Sequence, residues 1–227
     1  MANIFRFILV VGCILFVTNT NAQHKRYAIQ NGIGIFGGLT QFDIITDNFQ
    51  TKASSGWIGG LSANVDIPHK WYNVSYVIQL SENNVNISAS PQGNLTTEEV
   101  EYKMTAAQIG LLMHIKLANR YLTVDVGPML QYSGELELKD KSQENYVLTG
   151  YTNLTAKDIS NINKFNANGV VGLTAGFDNF RLRAHYIYGF TNMLNNLNKD
   201  GLDVSGNSTD KFKGNQSMLV FGAFFLF

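Results

Sequence analysis

Apolar and polar residues alternate one by one along much of this 227-residue chain. The clearest stretch carries Ala107, Ile109, Leu111, Met113, Ile115 and Leu117, interleaved with Gln108, Gly110, Leu112, His114 and Lys116. Successive side chains of a strand point to opposite faces, so this segment has one greasy face and one largely polar face. The pattern recurs in about eight segments, near 27–45, 56–67, 72–82, 101–117, 121–137, 164–177, 180–193 and 213–227. A soluble sheet shows such a segment once or twice. Eight long copies predict an all-β fold: an eight-stranded antiparallel up-and-down transmembrane β-barrel.

The connections support that reading. Three are tight: Pro68-His69-Lys70-Trp71, Asn119-Arg120 and Asp178-Asn179. Four are longer and polar, at about 46–55, 83–100, 138–163 and 194–212. Short and long alternate, as short periplasmic turns and longer outer loops do in such barrels. Paired residues must share a face, which gives an independent check. A turn at Asn119-Arg120 sets Leu117 against Leu122, Ile115 against Val124 and Met113 against Val126. The Asp178-Asn179 turn sets Phe177 against Phe180, Ala175 against Leu182 and Val171 against Tyr186. The turn at 68–71 sets Ile67 against Tyr72, Val65 against Val74 and Ala63 against Tyr76. Each hairpin puts apolar on apolar, and a one-residue slip would destroy the match.

Aromatic residues mark two expected membrane interfaces. Trp71, Tyr72, Tyr121, Phe177, Phe180 and Phe227 fall at the turn ends, and Trp57, Tyr102, Tyr132, Phe165 and Phe190 nearer the loop ends. Glycines inside strands, such as Gly59, Gly60, Gly127 and Gly172, suit a tightly curved sheet. Gly32-Ile33-Gly34 lies in an alternating strand with no following helix, so it is no nucleotide loop. Pro128 removes a ladder donor and predicts a bulge or local break. Six Asn-x-Ser/Thr triplets, starting at Asn73, Asn86, Asn94, Asn153, Asn207 and Asn215, fit chance in an asparagine-rich chain.

The N-terminus reads as a secretory signal. Arg6 precedes the apolar run Phe7 to Val17, which is too short for a spanning helix, and Asn19-Thr20-Asn21-Ala22 offers a cleavage site. Cleavage at 1–22 would leave a barrel domain at 23–227 beginning at Gln23. Val10-Val11-Gly12-Cys13 resembles a lipobox, but the apolar run continues past Cys13, which favours ordinary cleavage. The mature chain would then hold no cysteine, excluding disulfides and thiol catalysis. With 17 basic and 17 acidic residues, nothing argues for nucleic acid as a partner.

The candidate chemistry sits on the inward faces toward the turn end: Asp66, His114, Lys116, Asp125, Arg181, Arg183 and His185. A barrel of eight strands is just wide enough to be filled by its own side chains. The favoured reading is a structural charge network, with Asp66 and Asp125 paired to Arg181, Arg183 and Lys116. A narrow gated pore or a ligand pocket is the sharper alternative. His114 opposite Asp125 suggests a catalytic pair, but no nucleophile is singled out among inward hydroxyls such as Ser75 and Thr123. No enzyme activity, cofactor or metal site is expected; His24, His69, His114 and His185 are dispersed.

Four segments together resemble the PorT-like outer-membrane barrels of Bacteroidetes. They are the signal end Asn21-Ala22-Gln23, the first strand Gly32-Ile33-Gly34-Ile35-Phe36-Gly37-Gly38, the segment Val126-Gly127-Pro128-Met129-Leu130-Gln131-Tyr132, and the terminal Phe221-Gly222-Ala223-Phe224-Phe225-Leu226-Phe227. The resemblance implies an outer-membrane location and a lipid environment. The terminal strand, through Phe221, Phe225 and Phe227, resembles the signal read by the barrel assembly machinery. Some members of the group are implicated in type IX secretion or gliding; no residue here carries that role over. The resulting expectation is a non-enzymatic barrel, structural or interacting with a protein partner through its outer loops. A narrow channel and an accessory of secretion are the alternatives.

Overall fold

The computed structural model describes residues 30–68, 70–93, 96–118, 121–177, 179–203, 205 and 211–227. The expected export signal at 1–22, the Asn119-Arg120 turn and Asp178 lie outside the described residues. Ten strands follow in chain order: β1 (Gln30–Thr46), β2 (Thr51–Asp66), β3 (Tyr72–Ser90), β4 (Glu98–Ala118), β5 (Leu122–Ser133), β6 (Glu137–Leu138), β7 (Val147–Leu148), β8 (Phe165–Gly176), β9 (Phe180–Gly189) and β10 (Gly214–Leu226). The eight long ones are antiparallel to their neighbours. Pairing of β1 with β10, from Gly34↔Leu226 to Thr46↔Gly214, closes them into a ring.

The two faces of the ring invert the pattern of a soluble protein. Ile33, Leu39, Leu61, Ile78, Leu80, Leu111, Leu173, Leu182 and Phe221 are exposed on the outside. Gln79, Gln108, Asp125, Gln131, Thr174, His185 and Gln216 are buried inside. Such an apolar exterior is stable only against lipid, where a closed ring leaves no unpaired strand edge.

Register follows the parity argument, with one correction. Ile115 pairs with Val124, Met113 with Val126, Ala175 with Leu182, Val65 with Val74 and Ala63 with Tyr76. At the end of the β4–β5 hairpin the register shifts, so Ala118, rather than Leu117, faces Leu122. At Pro128 the β4–β5 ladder is interrupted between Gly110↔Met129 and Met113↔Val126, yet the register on both sides is the same. Pro128 therefore breaks the ladder without adding a bulge. Gly127 is required there, because a Cβ would meet the Leu111 carbonyl of β4.

The lipid belt is legible along β9. Phe180 at one end and Phe190 just beyond the other are both exposed. Ten residue steps at about 3.3 Å, tilted by roughly 45°, give a height of about 23 Å, close to the roughly 25 Å apolar band of such barrels. Trp71, Tyr121 and Phe177 share the lower level, and Trp57, Tyr132 and Phe165 the upper. Tyr102 is not part of the upper girdle. It is fully buried inside the barrel, and its hydroxyl donates to Ala156 O at 2.8 Å. Its even number gives it the parity of Gln108 and His114, which also point inward.

The strands reach further from the belt than the sequence pattern suggests. β3 continues to Ser90 and β4 begins at Glu98, so most of the expected loop at 83–100 is a strand pair. Thr51 to Ser55 likewise belong to β2, which leaves only 47–50 as the loop after β1. Beyond the lipid belt the outer face meets water and carries Lys52, Glu99, Glu101 and Lys103. There the polar residues that mimic a loop are simply the wet side of a strand. Conversely, β5 ends at Ser133 and β9 at Gly189, short of the expected 137 and 193. The barrel thus has one tall wall, β3–β4, and a low side at β5, β8 and β9.

Residues 134–164, 190–203 and 211–213 rise from the low side and fold against the tall wall. β6 pairs with β4 at Tyr102↔Leu138 and β7 with β3 at Ala89↔Leu148. Under them lies an apolar core that includes Phe42, Ile87, Met104, Leu154, Ile159, Met193, Leu197 and Phe212. Asparagines tie the segments: Asn192 Nδ2 and Asn198 Nδ2 each donate to Phe212 O at 2.9 Å, and Asn48 Nδ2 to Lys211 O at 3.0 Å. At the surface Asn153 and the Ser205 backbone donate to Asp203, holding its carboxyl down at about 2. These loops form a folded cap over the loop end of the barrel.

Ile78 lies near mid-height on the lipid face, where a cation costs roughly 2–4 kcal/mol, whereas an exposed ion pair is worth under about 1 kcal/mol. Ile78→Arg is expected to lower folding stability in lipid vesicles by about 2–4 kcal/mol, and Glu99→Arg, which breaks the exposed Lys52 pair, by less than about 1 kcal/mol. Urea titration of both variants checks the depth assignment.

Candidate functional site in the barrel lumen

The inward alternation of β3, β4, β5, β8, β9 and β10 stacks polar side chains in layers. One layer is made of glutamines. Gln79 donates to Gln108, Gln108 to Gln131 at 2.5 Å and Gln131 to Gln216 at 2.6 Å, with Asn168 also donating to Gln131 at 3.0 Å. All five are buried. An amide both donates and accepts, so a chain of amides crosses the lumen without a buried charge. Gln79, Gln108 and Gln131 occupy facing register positions on β3, β4 and β5. Carrying the parity argument across strands would have revealed this layer, which the sequence reading missed.

Toward the turn end the next layer is organised by Asp125, which has no exposure at all. Its Oδ1 accepts from His114 Nδ1 at 2.6 Å and Thr123 Oγ1 at 2.7 Å. Its Oδ2 accepts from His185 Nε2 at 2.8 Å and from Thr174 Oγ1. An ionised carboxylate offers about four lone-pair sites, and all four are used. His114 sits across the ladder from Asp125, and His185 reaches it over the intervening strand β8. Two hydroxyls and two imidazoles, rather than arginine side chains, satisfy this carboxylate.

The remaining candidate residues separate into two groups. Lys116 Nζ binds Asp66 Oδ1 at 2.9 Å near the rim, with the lysine side chain 15% and the aspartate 30% exposed. Arg183 is buried, with its guanidinium carbon 4.8 Å from the Phe224 ring centre and 5.3 Å from that of Phe36. Arg181 and Arg183 line a cavity of about 230 Å³ at the turn end, together with Asn73, Thr174, Phe224 and Leu226. Asp66, Lys116 and the Asp125 cluster are therefore neighbouring units and not one continuous salt-bridge network.

Ser75 Oγ donates to His114 Nε2 at 2.7 Å, and His114 Nδ1 donates to Asp125. This is the connectivity of a nucleophile, a base and an orienting acid. The sequence alone does not single out Ser75, because its partner comes from the register of β3 against β4. Ser75 is 1% exposed and does not line the cavity, so a substrate carbonyl has no approach to its Oγ. Among the described residues no group of three or more His, Cys, Asp or Glu is placed to hold a metal ion.

The ring, its inverted faces and the polar lumen meet a family-level finding. A family described as outer membrane protein beta-barrel domain matches residues 21–195. The chain belongs to that family. No curated protein matches it. Among solved structures, Neisserial surface protein A, NspA, is similar with a TM-score of 0.50 and 9% identity, over 86% of this chain and 97% of that one. Ail, the attachment invasion locus protein of Yersinia pestis, was solved with the heparin analogue sucrose octasulfate; it has a TM-score of 0.45 and 11% identity, over 87% of this chain and 99% of that one. The outer membrane protein OprG of Pseudomonas aeruginosa has a TM-score of 0.43 and 12% identity, over 88% and 97% respectively. At these identities the likeness of this outer membrane barrel to NspA is one of fold.

Removing one partner of a buried charged cluster costs roughly 3–5 kcal/mol, because the others stay buried without a partner. Asp125→Ala orphans two histidines and two threonines of the barrel at once. Its stability against thermal unfolding in detergent is expected to fall by an amount in that range, whereas Lys116→Ala, which leaves Asp66 30% exposed to water, is expected to cost less than Asp125→Ala.

Proposed function

We propose that this outer membrane barrel is a closed, non-enzymatic protein that works through its folded cap, meeting a protein partner outside the cell. The apolar core of the cap carries this reading. Side chains from β1, β3 and β4 pack with those of 134–164, 190–203 and 211–213 across the loop end of the barrel. The glutamine layer crosses the lumen below it. A conducting barrel needs a wet path, and neither layer supports one. The cap's outer surface is rich in exposed ion pairs such as Lys139–Glu101 and Lys164–Glu135, which suits a soluble, charge-patterned contact.

The test is conductance of the refolded protein in planar bilayers, with insertion confirmed separately. Insertion without current steps is the expected result. Reproducible single-channel steps would replace this reading with a narrow channel.

Export through a signal cleaved after Ala22 and insertion by the barrel assembly machinery complete the proposal. The rings of Phe221, Phe225 and Phe227 stand exposed on or beside the last strand, where such a machine could read them. N-terminal sequencing of the protein from membranes is expected to begin at Gln23. A chain lipidated at Cys13 would contradict it. The resemblance to PorT-like barrels extends the proposal to an accessory role in secretion or gliding, with the cap as the meeting surface.

A further inference from the structure

We infer that the cavity at the turn end of the lumen binds a small oxyanion, a phosphate or a carboxylate, through Arg183. The side chain is deeply placed, with Arg183 only 6% exposed. Its Nε is buried with no hydrogen-bond partner. Its ring contacts are to Phe36 and Phe224, which cover guanidinium faces and offer nothing to its in-plane N–H groups. A guanidinium stays charged, and a buried charge without a hydrogen-bonded counter-charge is expensive.

Among the described residues no acid hydrogen-bonds Arg183. Asp125, the nearest buried carboxylate in this layer, already accepts four hydrogen bonds, so it has no lone pair left for Arg183. Asp66, the acid that lines the cavity, is held by Lys116 at 2.9 Å. The cavity therefore presents a buried guanidinium whose Nε–H meets no oxygen. The planar fork of a guanidinium matches the paired oxygens of phosphate and carboxylate. The space is about 230 Å³, below the roughly 300–1,000 Å³ of pockets for drug-sized ligands, so the occupant is a small ion. The side chains of Asn73 and Thr174 line the same space. Because the rim includes Asp66, Asn179 and Phe227, entry is from the turn end, opposite the cap.

The inference is independent of whether the barrel conducts. Protein purified in detergent would be titrated with inorganic phosphate, followed by 31P line width, and separately with succinate, followed by the shift of the Arg183 side-chain N–H signals. Chloride would hold the ionic strength constant. Saturable binding of either anion is expected, and which one saturates identifies the source. R183Q should weaken it about tenfold or more, and R183K, which keeps the charge and loses the fork, should fall between. Heat-modifiable gel mobility would establish that each variant is folded. Should R183Q fail to fold, mutual displacement of the two anions in the wild-type protein, with movement of the Arg183 signals, decides the matter. Saturation by neither anion, or equal binding by folded R183Q, would overturn the assignment.

Discussion

The pairing of β1 with β10 governs the rest of this structure. In hydrocarbon an unpaired backbone donor or acceptor costs several kcal/mol, and an open sheet would present a full row of them along each edge. Closing the ring removes both edges, but it also fixes what the interior must be. Eight strands leave a lumen that side chains can just fill, and the outer face is committed to lipid. Polar residues have nowhere else to go, so they must satisfy one another inside. The amide layer and the saturated Asp125 are two solutions to that same demand, one with no charge and one with a charge surrounded by donors.

Much of this was legible in the sequence because period-two alternation is a direct record of which face each residue takes. The His114–Asp125 and Thr174–Arg183 facings follow from turn positions and parity alone. What was not legible depends on distances beyond one hairpin. Asp125 meets His185 only because β8, which lies between them, offers Gly172 at that level. Its pairing with imidazoles in place of arginines is a matter of reach, which parity does not encode. Tyr102 shows the opposite case: its parity pointed inward, but its aromatic character suggested a girdle.

The cap was hidden for a different reason. Above the lipid the outer face turns polar, so β3 beyond Glu82 and β4 before Thr105 lose the contrast that marks a membrane strand. Val85, Ile87 and Ala89 keep the inward alternation and were outweighed by Asn83, Asn84, Asn86 and Ser88 around them. In the two large loops, apolar residues such as Leu154, Ile159 and Ile162 are spaced irregularly, since they belong to no long strand. Their burial depends on the tall wall against which they pack.

That wall has a mechanical consequence. From Glu82 to Ser90, β3 rises about eight residues past the aromatic boundary, which at about 3.3 Å each and a tilt of roughly 45° puts the top of the cap some 20 Å above the headgroups. The cap is thus carried on a rigid pedestal of paired strands and not tethered by flexible chain. A molecule docking on its top stands about two Debye lengths from the lipid charge at physiological salt, so it feels the cap's own pattern of charge and almost none of the membrane's.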